Sequence, residues 1–416
     1  MHELALLGGP KSVEQKAPHY VWPPITKALR YAVLQQLDDS ISIYDRSGVV
    51  RRLEEALERM HNCGHALLCN SGTTALYSMF VAAGIEAGDE VICPAYTFFA
   101  SVTPLLFTGA WPVLADCGGD GNIDPEDVAR RITPRTKAIL ATHMWGKPCE
   151  LESLRLIAER HGLLLLEDAS HAVGALYRGR PVGCAGDAGA ISMQAQKPVP
   201  AGEGGAVMFQ NPEMFYRALS LGHYNRRCKD EIPPTHPLAE FAVTGMGLKL
   251  RIHPLAAAIG LHQLGRLPAI LEGREKVAQR MIRGLAGLPG FRIGAVPNHI
   301  QPSWYALILE YLPDELEGVS INRIFDALKA EGCVEIDRPG STRPLSQLPL
   351  FQRPGDVFPT FRKMRGYRPE DFPIANGLHA RSLKLPVWHD EADIGMADAY
   401  VTAIRKVARN YRELIQ

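Results

Sequence analysis

The sequence predicts an α/β protein with a mixed, mostly parallel central sheet, followed by a smaller α+β unit. Between about residues 65 and 250, short apolar segments alternate with segments of helical spacing, as in a parallel sheet covered on both faces. The chain has 416 residues, a length that usually divides into two domains. We therefore predict a large domain over residues 1–280, including an N-terminal helical and loop segment, and a small domain over 281–416.

Two helices are expected first, in ITKALRYAVLQQLDD and SGVVRRLEEALERMHN, with the loop SISIYDR between them. The expected strands of the large domain are HALLCN, DEVICPAY, WPVLADC, TKAILATHMW, LLLLEDA, AGAISMQA and GAVMFQ. A long helical stretch follows, and we expect it to break near Pro268 because proline has no N–H to donate. In the small domain WYALILEYL is an expected strand, and INRIFDALKAEG and MADAYVTAIRKVARNYRELIQ are expected helices.

Residues 338–373 are rich in proline and irregular, and this stretch is long for a loop in a compact domain. Such a segment is either functional or ordered by a partner.

The overall composition argues against two kinds of partner. Lysine plus arginine equals aspartate plus glutamate, 45 each, so no basic excess points to nucleic acid or an anionic membrane. No apolar run approaches the roughly 20 residues that cross a bilayer, and the first residues do not resemble a signal peptide. The eight cysteines form no Cys-x-x-Cys pair and have no zinc-ligand spacing. We expect a cytoplasmic protein without a metal site, acting on small molecules.

Candidate binding and catalytic residues follow three of the expected strands, at the strand ends where ligands bind in open α/β sheets. Gly72 and Thr73 open a helix after HALLCN, which suits a phosphate, although Ser71 there is also an ordinary helix cap. Phe98 follows DEVICPAY and either stacks on a planar cofactor or belongs to the core. Asp168 ends LLLLED, where a partly desolvated carboxylate needs a cation such as a pyridinium N–H, or serves as a helix cap.

Lys197 lies between ISMQAQ and the glycine-rich GEGG. A lone lysine before a loop is usually a surface residue, but burial or a nearby cation lowers its pKa and makes it a nucleophile toward carbonyl groups. A phosphate site, an aromatic face, a carboxylate and a lysine, each near a strand end, together form the set of groups that a pyridoxal phosphate (PLP) enzyme needs. The residues therefore predict PLP as the cofactor.

The sequence also resembles a known family. The matching stretches are NSGTTAL, GDEVICPAYTFFAS, LLLEDASHAVGA, ISMQAQKPVPAGEGG, GLKLRIHPLAAAIGLHQL and SLKLPVW, and they cover nearly the whole chain. They resemble the DegT/DnrJ/EryC1/StrS family of PLP-dependent aminotransferases. The resemblance implies an aspartate-aminotransferase-like (fold type I) homodimer with active sites at the subunit interface. It also implies amino transfer from glutamate or glutamine to a keto-sugar or keto-cyclitol.

The resemblance further assigns roles to single residues. Lys197 matches the catalytic lysine that binds PLP covalently, and Asp168 matches the carboxylate that pairs with the pyridine nitrogen. Phe98 matches the aromatic residue that stacks on the ring, and His171 the residue that contacts its phenolic oxygen. The matched phosphate-binding positions are Gly72, Thr73 and Ser192.

The sequence departs from the family at one phosphate ligand. Many members supply an asparagine from the partner subunit within G-x-N-x-R, where this chain has Lys249 in GLKLR. We expect Lys249 to bind the phosphate as a point charge. Candidate substrate contacts occur in the early loop, in LGHYNRR and in the proline-rich stretch, and each is alternatively a solvated loop residue: Tyr44, His223, Arg338 and Arg343.

Three functions remain open from the sequence: an aminotransferase, another PLP reaction such as sugar dehydration, and a non-catalytic regulator that binds PLP or a sugar. Family members that dehydrate 3-deoxy sugars carry histidine in place of the lysine, so Lys197 favours amino transfer. A regulator would lack the lysine or the aspartate, and both are present. The opening LALLGGPKSV resembles members that aminate scyllo-inosose-type cyclitols in antibiotic biosynthesis.

Overall fold

The computed structural model describes residues 3–14, 19 and 22–415. Within these residues the α-helices are α1 (Lys27–Asp39), α2 (Gly48–His61), α3 (Gly72–Ala82), α4 (Thr103–Leu106), α5 (Pro125–Arg130), α6 (Leu151–His161), α7 (Pro212–Gly222), α8 (Arg226–Glu231), α9 (Pro254–Leu285), α10 (Ile321–Ala330), α11 (Pro349–Gln352), α12 (Pro373–Arg381) and α13 (Asp393–Arg409). The strands are β1 (His65–Cys69), β2 (Glu90–Pro94), β3 (Tyr96–Phe98), β4 (Trp111–Ala115), β5 (Thr136–Thr142), β6 (Leu164–Asp168), β7 (Leu176–Tyr177), β8 (Arg180–Pro181), β9 (Ala188–Ser192), β10 (Gly205–Phe209), β11 (Phe291–Ile293), β12 (Ile300–Gln301), β13 (Leu307–Tyr311), β14 (Thr342–Pro344) and β15 (Ser382–Leu385).

The central sheet has seven strands in the order β1-β10-β9-β6-β5-β2-β4. The two pairs that include β10 are antiparallel, and the other four pairs are parallel. The predicted mixed, mostly parallel sheet is therefore confirmed. The parallel strands share a direction, so the residues that follow β1, β6 and β9 meet at one edge of the sheet.

Apolar side chains cover both faces of this sheet because successive residues of a strand point to opposite sides. On β5, Ala138 and Leu140 belong to one hydrophobic cluster, and Ile139 and Ala141 belong to the other. Helices α3 and α7 contribute to the first cluster, whereas α2, α6 and the first half of α9 contribute to the second. The expected three-layer arrangement follows from this alternation.

Strand β1 lies at an edge of the sheet, and helix α2 covers its open side. The N–H groups of Ala66 and Leu68 donate to carboxylate oxygens of Glu58 (3.1 Å) and Glu54 (3.2 Å). Glu54 is fully buried and also accepts two hydrogen bonds, of 2.7 and 3.1 Å, from the guanidinium group of Arg227. This buried ion pair joins α2 to α8 and holds the strand that leads into the candidate phosphate site.

The C-terminal unit is built around a three-stranded antiparallel sheet in the order β11-β13-β15. Its core contains α10, α13 and the second half of α9. Leu4 and Val13 also lie in this core, although the sequence analysis grouped the N-terminal segment with the large domain. The domain limit at residue 280 itself stays a prediction.

Helix α9 does not break at Pro268, and the expected break is wrong. It continues from Pro254 to Leu285. Its first half packs on the central sheet and its second half on the C-terminal core, with Leu267 and Ile270 buried on either side of the proline. Burial of side chains along the whole length offsets the hydrogen bond that proline removes.

The proline-rich stretch contains ordered elements that reach the large domain. Strand β14 pairs antiparallel with β3, with Thr342 opposite Phe98. This pairing carries part of the stretch across the sheet edge at which β6 and β9 end. Among the described residues, none of the helices combines the length and the apolar character that a membrane span requires.

Candidate active site

A cavity of about 410 Å³ opens at this edge of the central sheet. Its wall includes residues from the ends of β1, β6 and β9 and from the strand pair β3–β14. The lining contains seven residues singled out by sequence: Gly72, Thr73, Phe98, Asp168, His171, Ser192 and Lys197. Residues separated by more than a hundred positions thus meet because parallel strands end together.

The first turn of α3 forms one end of the cavity. Ser71 caps the helix by accepting a hydrogen bond from the N–H of Thr74 (3.1 Å). A Cβ atom at Gly72 would lie 2.5 Å from the Cβ of Ser192, so only glycine fits this approach of α3 to β9. The first N–H groups of a helix have no partner within the helix and attract anions. This turn is therefore suited to a phosphate group.

Asp168 is held by two hydrogen bonds at the carboxyl end of β6. Its Oδ1 accepts from the N–H of Ser170 (3.0 Å), and its Oδ2 accepts from the hydroxyl of Ser101 (2.6 Å). Thr97 Oγ1 lies 2.9 Å from Ser101 Oγ. A carboxylate has about four acceptor positions, so Asp168 keeps the capacity to accept another proton donor from the cavity.

Lys197 also lines the cavity, with its ammonium group 5.1 Å from the centre of the Tyr305 ring. Burial lowers the pKa of Lys197 from its ordinary 10.5 to about 8. The ammonium group of Lys384 lowers it as well, while the carboxylate of Asp168 acts in the opposite direction. A substantial fraction of Lys197 is thus the neutral, nucleophilic amine near pH 8.

His171 belongs to a stack of three rings beside the cavity. Its imidazole lies 4.1 Å from the centre of the Tyr305 ring and 5.8 Å from that of Trp145, nearly parallel to both. Burial, together with Lys197 and Lys384, holds the pKa of His171 well below its usual range. Its Nδ1 atom is buried and has no hydrogen-bond partner among the described residues. His171 is therefore a neutral ring with one polar atom free for a ligand.

Three other predicted residues lie outside this cavity. Lys249 is exposed on the surface of the subunit, in a backbone bridge with His223. The imidazole of His223 is buried, and desolvation together with Arg227 and Arg251 holds its pKa well below the usual range. Tyr44 lies beneath the guanidinium group of Arg226, 5.1 Å from it. Within one subunit, none of the three lines the site.

The two arginines of the proline-rich stretch do not line the cavity either. Arg338 donates to the side chain of Asn322 and to the carbonyl oxygen of Ala380. Arg343 donates to the carbonyl oxygen of Gly340, 2.6 Å away. The part of the stretch that lines the cavity consists of Ser341 and Thr342, which carry no charge.

Several functional side chains escaped the sequence analysis. Ser101 lies within PAYTFFAS, four residues after Thr97, and this spacing was the available signal. Tyr305 and Lys384 come from the C-terminal unit, and no local pattern links them to the lysine loop. Glu203, the acidic residue of GEGG, also lines the cavity.

The fold and the site together define a PLP-dependent enzyme of fold type I. The residues fit the cofactor at each point: helix N–H groups for the phosphate, a carboxylate for the pyridine nitrogen, and a buried amine for the aldehyde. The close contact of α3 with β9 at Gly72 and the unpartnered Nδ1 atom of His171 also fit the cofactor.

Comparison with known proteins supports this class. The model of the DegT/DnrJ/EryC1/StrS aminotransferase family matches residues 25–399. The chain belongs to this family, and it is a PLP-dependent aminotransferase.

Two relatives illustrate the range of the family. The spore coat polysaccharide biosynthesis protein SpsC of Bacillus subtilis is 32% identical over 86% of this chain and 90% of its own length. The L-glutamine:2-deoxy-scyllo-inosose aminotransferase of Streptomyces kanamyceticus is 34% identical over 76% of this chain and 75% of its own.

A solved structure of DesI in the presence of its TDP-sugar product has 30% sequence identity to this chain. The two superpose with a TM-score of 0.77, over 99% of each chain. The aspartate-aminotransferase-like fold expected from the sequence is confirmed.

Proposed function

We propose that this enzyme transfers an amino group from L-glutamine or L-glutamate to a keto-cyclitol or a nucleotide-linked keto-sugar. The observation that carries the proposal is the cavity in which a partly buried lysine and a hydrogen-bonded aspartate face a helix N-terminus. The relatives support the substrate class, because they include a 2-deoxy-scyllo-inosose aminotransferase and DesI with its TDP-sugar product.

Bound PLP supplies the electron sink for a reaction at the carbon that bears the amino group. Lys197 Nζ would hold the cofactor and, once released, would accept a proton from the substrate carbon as a base and return a proton as an acid. Its lowered pKa of about 8 suits both directions near neutral pH. Asp168 holds a proton on the pyridine nitrogen, and the N–H groups of Gly72 and Thr73 bind the phosphate.

We assign the two remaining contacts within the subunit on the same grounds. Phe98 lines the cavity and would offer its π-face to the ring of the cofactor. His171 carries a free Nδ1 atom in a neutral ring and binds the phenolic oxygen. Ser192 lies at the end of β9 beside Gly72 and adds a hydroxyl to the phosphate site.

We also propose that two copies of the chain form the working enzyme and that Lys249 completes the phosphate site of the other copy. Lys249 is exposed and outside the cavity of its own subunit. The residues just before it expose large apolar side chains, which suits a buried subunit contact: Phe241, Val243, Met246 and Leu248. Tyr44, His223, Arg338 and Arg343 remain candidates for substrate contacts only across such an interface or after movement of the loop.

The cytoplasm is the compartment we propose. The support comes from the eight cysteines, all unpaired and seven of them buried, as is usual for proteins of reducing compartments.

The alternatives are less well supported. A dehydratase of this fold, GDP-4-keto-6-deoxy-D-mannose-3-dehydratase, shares only 21% identity with the chain, which is a likeness of fold. A non-catalytic regulator would have no use for a buried lysine whose pKa is lowered to about 8.

An absorption titration tests the proposal. The purified enzyme, loaded with PLP, is expected to lose its visible absorption when L-glutamine or L-glutamate is added. A keto-cyclitol such as 2-deoxy-scyllo-inosose, or a TDP-linked keto-sugar, then restores the band. Loss of the band with no acceptor that restores it, together with release of ammonia and a deoxygenated sugar, would instead support the dehydratase.

A further inference from the structure

Lys384 lies close to the active site, but none of the roles above uses it. It is on β15, where its backbone N–H and carbonyl group both pair with Asp337 (2.7 and 3.0 Å). Its side chain shares the outer face of the small sheet with Ile308, whereas Leu383 and Leu385 point into the core. Its ammonium group lies 5.6 Å from the centre of the Tyr305 ring.

Lys384 and Lys197 therefore converge on one aromatic ring from different domains. The two ammonium groups lie 5.6 and 5.1 Å from the centre of Tyr305, and this ring lines the cavity. The charge of Lys384 also acts on His171, on the same wall. The short segment that begins at Asp337 beside Lys384 continues to Ser341 and Thr342 in the cavity wall. Lys384 is not itself part of the cavity wall, but it contacts Tyr305, which is.

The ammonium group of Lys384 lacks a matching anion. Within the part of the chain that the structure describes, it forms neither an ion pair nor a side-chain hydrogen bond. Its ammonium group contacts only the Tyr305 ring there, as a cation–π pair. Asp337 is the carboxylate that acts on it, without an ion pair. Burial lowers the pKa of Lys384, as expected for a cation partly removed from water. Such a group is stabilised when a ligand brings a negative charge.

The chemistry of the reaction indicates which ligand does so. An amino-acid donor carries a carboxylate on the same carbon as the amino group that must reach Lys197. A keto-cyclitol carries no charge, and a nucleotide-linked keto-sugar carries its charge on the diphosphate rather than next to the reacting carbon. Among the described residues that line the cavity, Lys197 is the one lysine or arginine, and its amine is needed for the covalent bond to the cofactor. Asp168 and Glu203 give the remaining lining an acidic character that repels a carboxylate. The ammonium group of Lys384, beside Tyr305, offsets this repulsion of the donor carboxylate.

We propose that Lys384 is the binding residue for the carboxylate of the amino donor, which enters the site beside the Tyr305 ring. The proposal rests on the proposed function and deepens it, because it assigns a donor contact that the cofactor site does not require. In this position Lys384 contributes to the first half-reaction and not to a second half-reaction in which a neutral keto-cyclitol is the acceptor.

Three variants test the assignment in the PLP-loaded enzyme. Lys384→Gln removes the charge, Lys384→Arg keeps it, and Lys137→Gln is the control. Lys137 is an exposed lysine on β5, toward the end of the sheet opposite the cavity, and its ammonium group lies 3.9 Å from Asp89. Retained visible absorption by each variant shows that the protein is folded and carries the cofactor.

The first measurement is calorimetric binding of glutarate, a dicarboxylate without an amino group, so the result does not depend on turnover. Lys384→Gln is expected to weaken glutarate binding about tenfold or more, whereas Lys384→Arg and Lys137→Gln bind as the parent does. Unchanged binding of glutarate by Lys384→Gln would overturn the proposal.

The second measurement separates the two half-reactions in single turnovers. With Lys384→Gln, the L-glutamine concentration for half-maximal loss of visible absorption is expected to rise about tenfold or more. The concentration of 2-deoxy-scyllo-inosose for half-maximal reaction with the amino-loaded enzyme is expected to be unchanged. Equal impairment of both half-reactions would overturn the proposal, since Lys384 would then act on the cofactor. If the parent enzyme binds glutarate through Lys384 but reacts with no amino acid, the proposed function fails, and Lys384 keeps only a role in binding carboxylates.

Discussion

Ser101 donates its hydroxyl proton to Asp168 across 2.6 Å, linking the turn after β3 to the end of β6. A serine has one proton to donate, so Thr97, 2.9 Å from Ser101, must donate its own proton to the serine oxygen. The chain Thr97–Ser101–Asp168 therefore delivers two aligned dipoles to the carboxylate that faces the cofactor. It fixes the orientation of Asp168.

Because of this arrangement, substitutions of Asp168 and of Ser101 should lower kcat by different factors. Asp168→Asn removes the charge that holds a proton on the pyridine nitrogen, and we expect kcat to fall by about 10²-fold or more. Ser101→Ala leaves the charge but frees the carboxylate, and we expect a fall of about tenfold, close to one hydrogen bond to a charged group. Steady-state kinetics with saturating donor provides the measurement. A larger loss in Ser101→Ala than in Asp168→Asn would contradict the order of these roles.

Lys197→Ala is expected to abolish turnover while the fold survives. The side chain lies in a cavity wall and forms no ion pair with the described residues, so its removal leaves the sheet and its two cores intact. The variant should bind PLP without the absorption band of the lysine-bound cofactor, and borohydride should fix no cofactor to it. Mass spectrometry checks the second point, and far-ultraviolet circular dichroism checks the fold. An active Lys197→Ala variant would remove the catalytic assignment.

The pKa of Lys197 predicts the pH dependence of cofactor capture. Burial, with help from Lys384, lowers this pKa from 10.5 to about 8. Only the neutral amine attacks an aldehyde, so the rate at which the apoprotein captures PLP should rise with pH and level off above about pH 8. Stopped-flow absorbance measures this rate. Lys384→Gln removes a like charge and should move the midpoint to higher pH, whereas a parent midpoint near 10.5 would show an exposed, ordinary lysine.

Gly72→Ala is expected to weaken binding of the phosphate group. The added Cβ would lie 2.5 Å from the Cβ of Ser192 and would push the first turn of α3 away from β9. The matched control is Gly265→Ala in α9, where an added Cβ has no neighbour within 4 Å. This substitution replaces a glycine inside a helix. That control should gain up to about 1 kcal/mol of stability. Fluorescence titration of the apoproteins with PLP measures the affinity, and equal affinities would exclude a close α3–β9 approach.

The buried ion pair of Glu54 and Arg227 predicts a large effect on stability. Glu54→Gln leaves the guanidinium group of Arg227 without the charge of its fully buried partner, and weakens the bond to the N–H of Leu68. We expect a loss of about 3 kcal/mol or more in the free energy of unfolding. Glu55→Gln, on the exposed side of the same helix, should change it by less than about 0.5 kcal/mol. Urea titrations compare the two, and equal midpoints would contradict the prediction.

Sequence patterns were sufficient for the central sheet and for the residues at its strand ends. Asp168 and Lys197 follow β6 and β9, and neighbouring parallel strands must bring their carboxyl ends together. Tyr305 and Lys384 were not predicted, because packing of the C-terminal unit places them and no local spacing encodes that packing. The same reason explains Pro268, where the surroundings of α9 override the local tendency of proline to end a helix.

The cover that α2 provides for β1 has a consequence for the newly made chain. An edge strand with free N–H groups can pair with a strand of another molecule and start aggregation. Helix α2 directly precedes β1 in the sequence, whereas β10, its partner in the sheet, is made only after residues 70–204. The carboxylates of Glu54 and Glu58 therefore leave the ribosome before the N–H groups that they accept from. The outer edge of β1 therefore has its cover available before β10 is made, whereas the opposite edge stays open until β10 pairs with it.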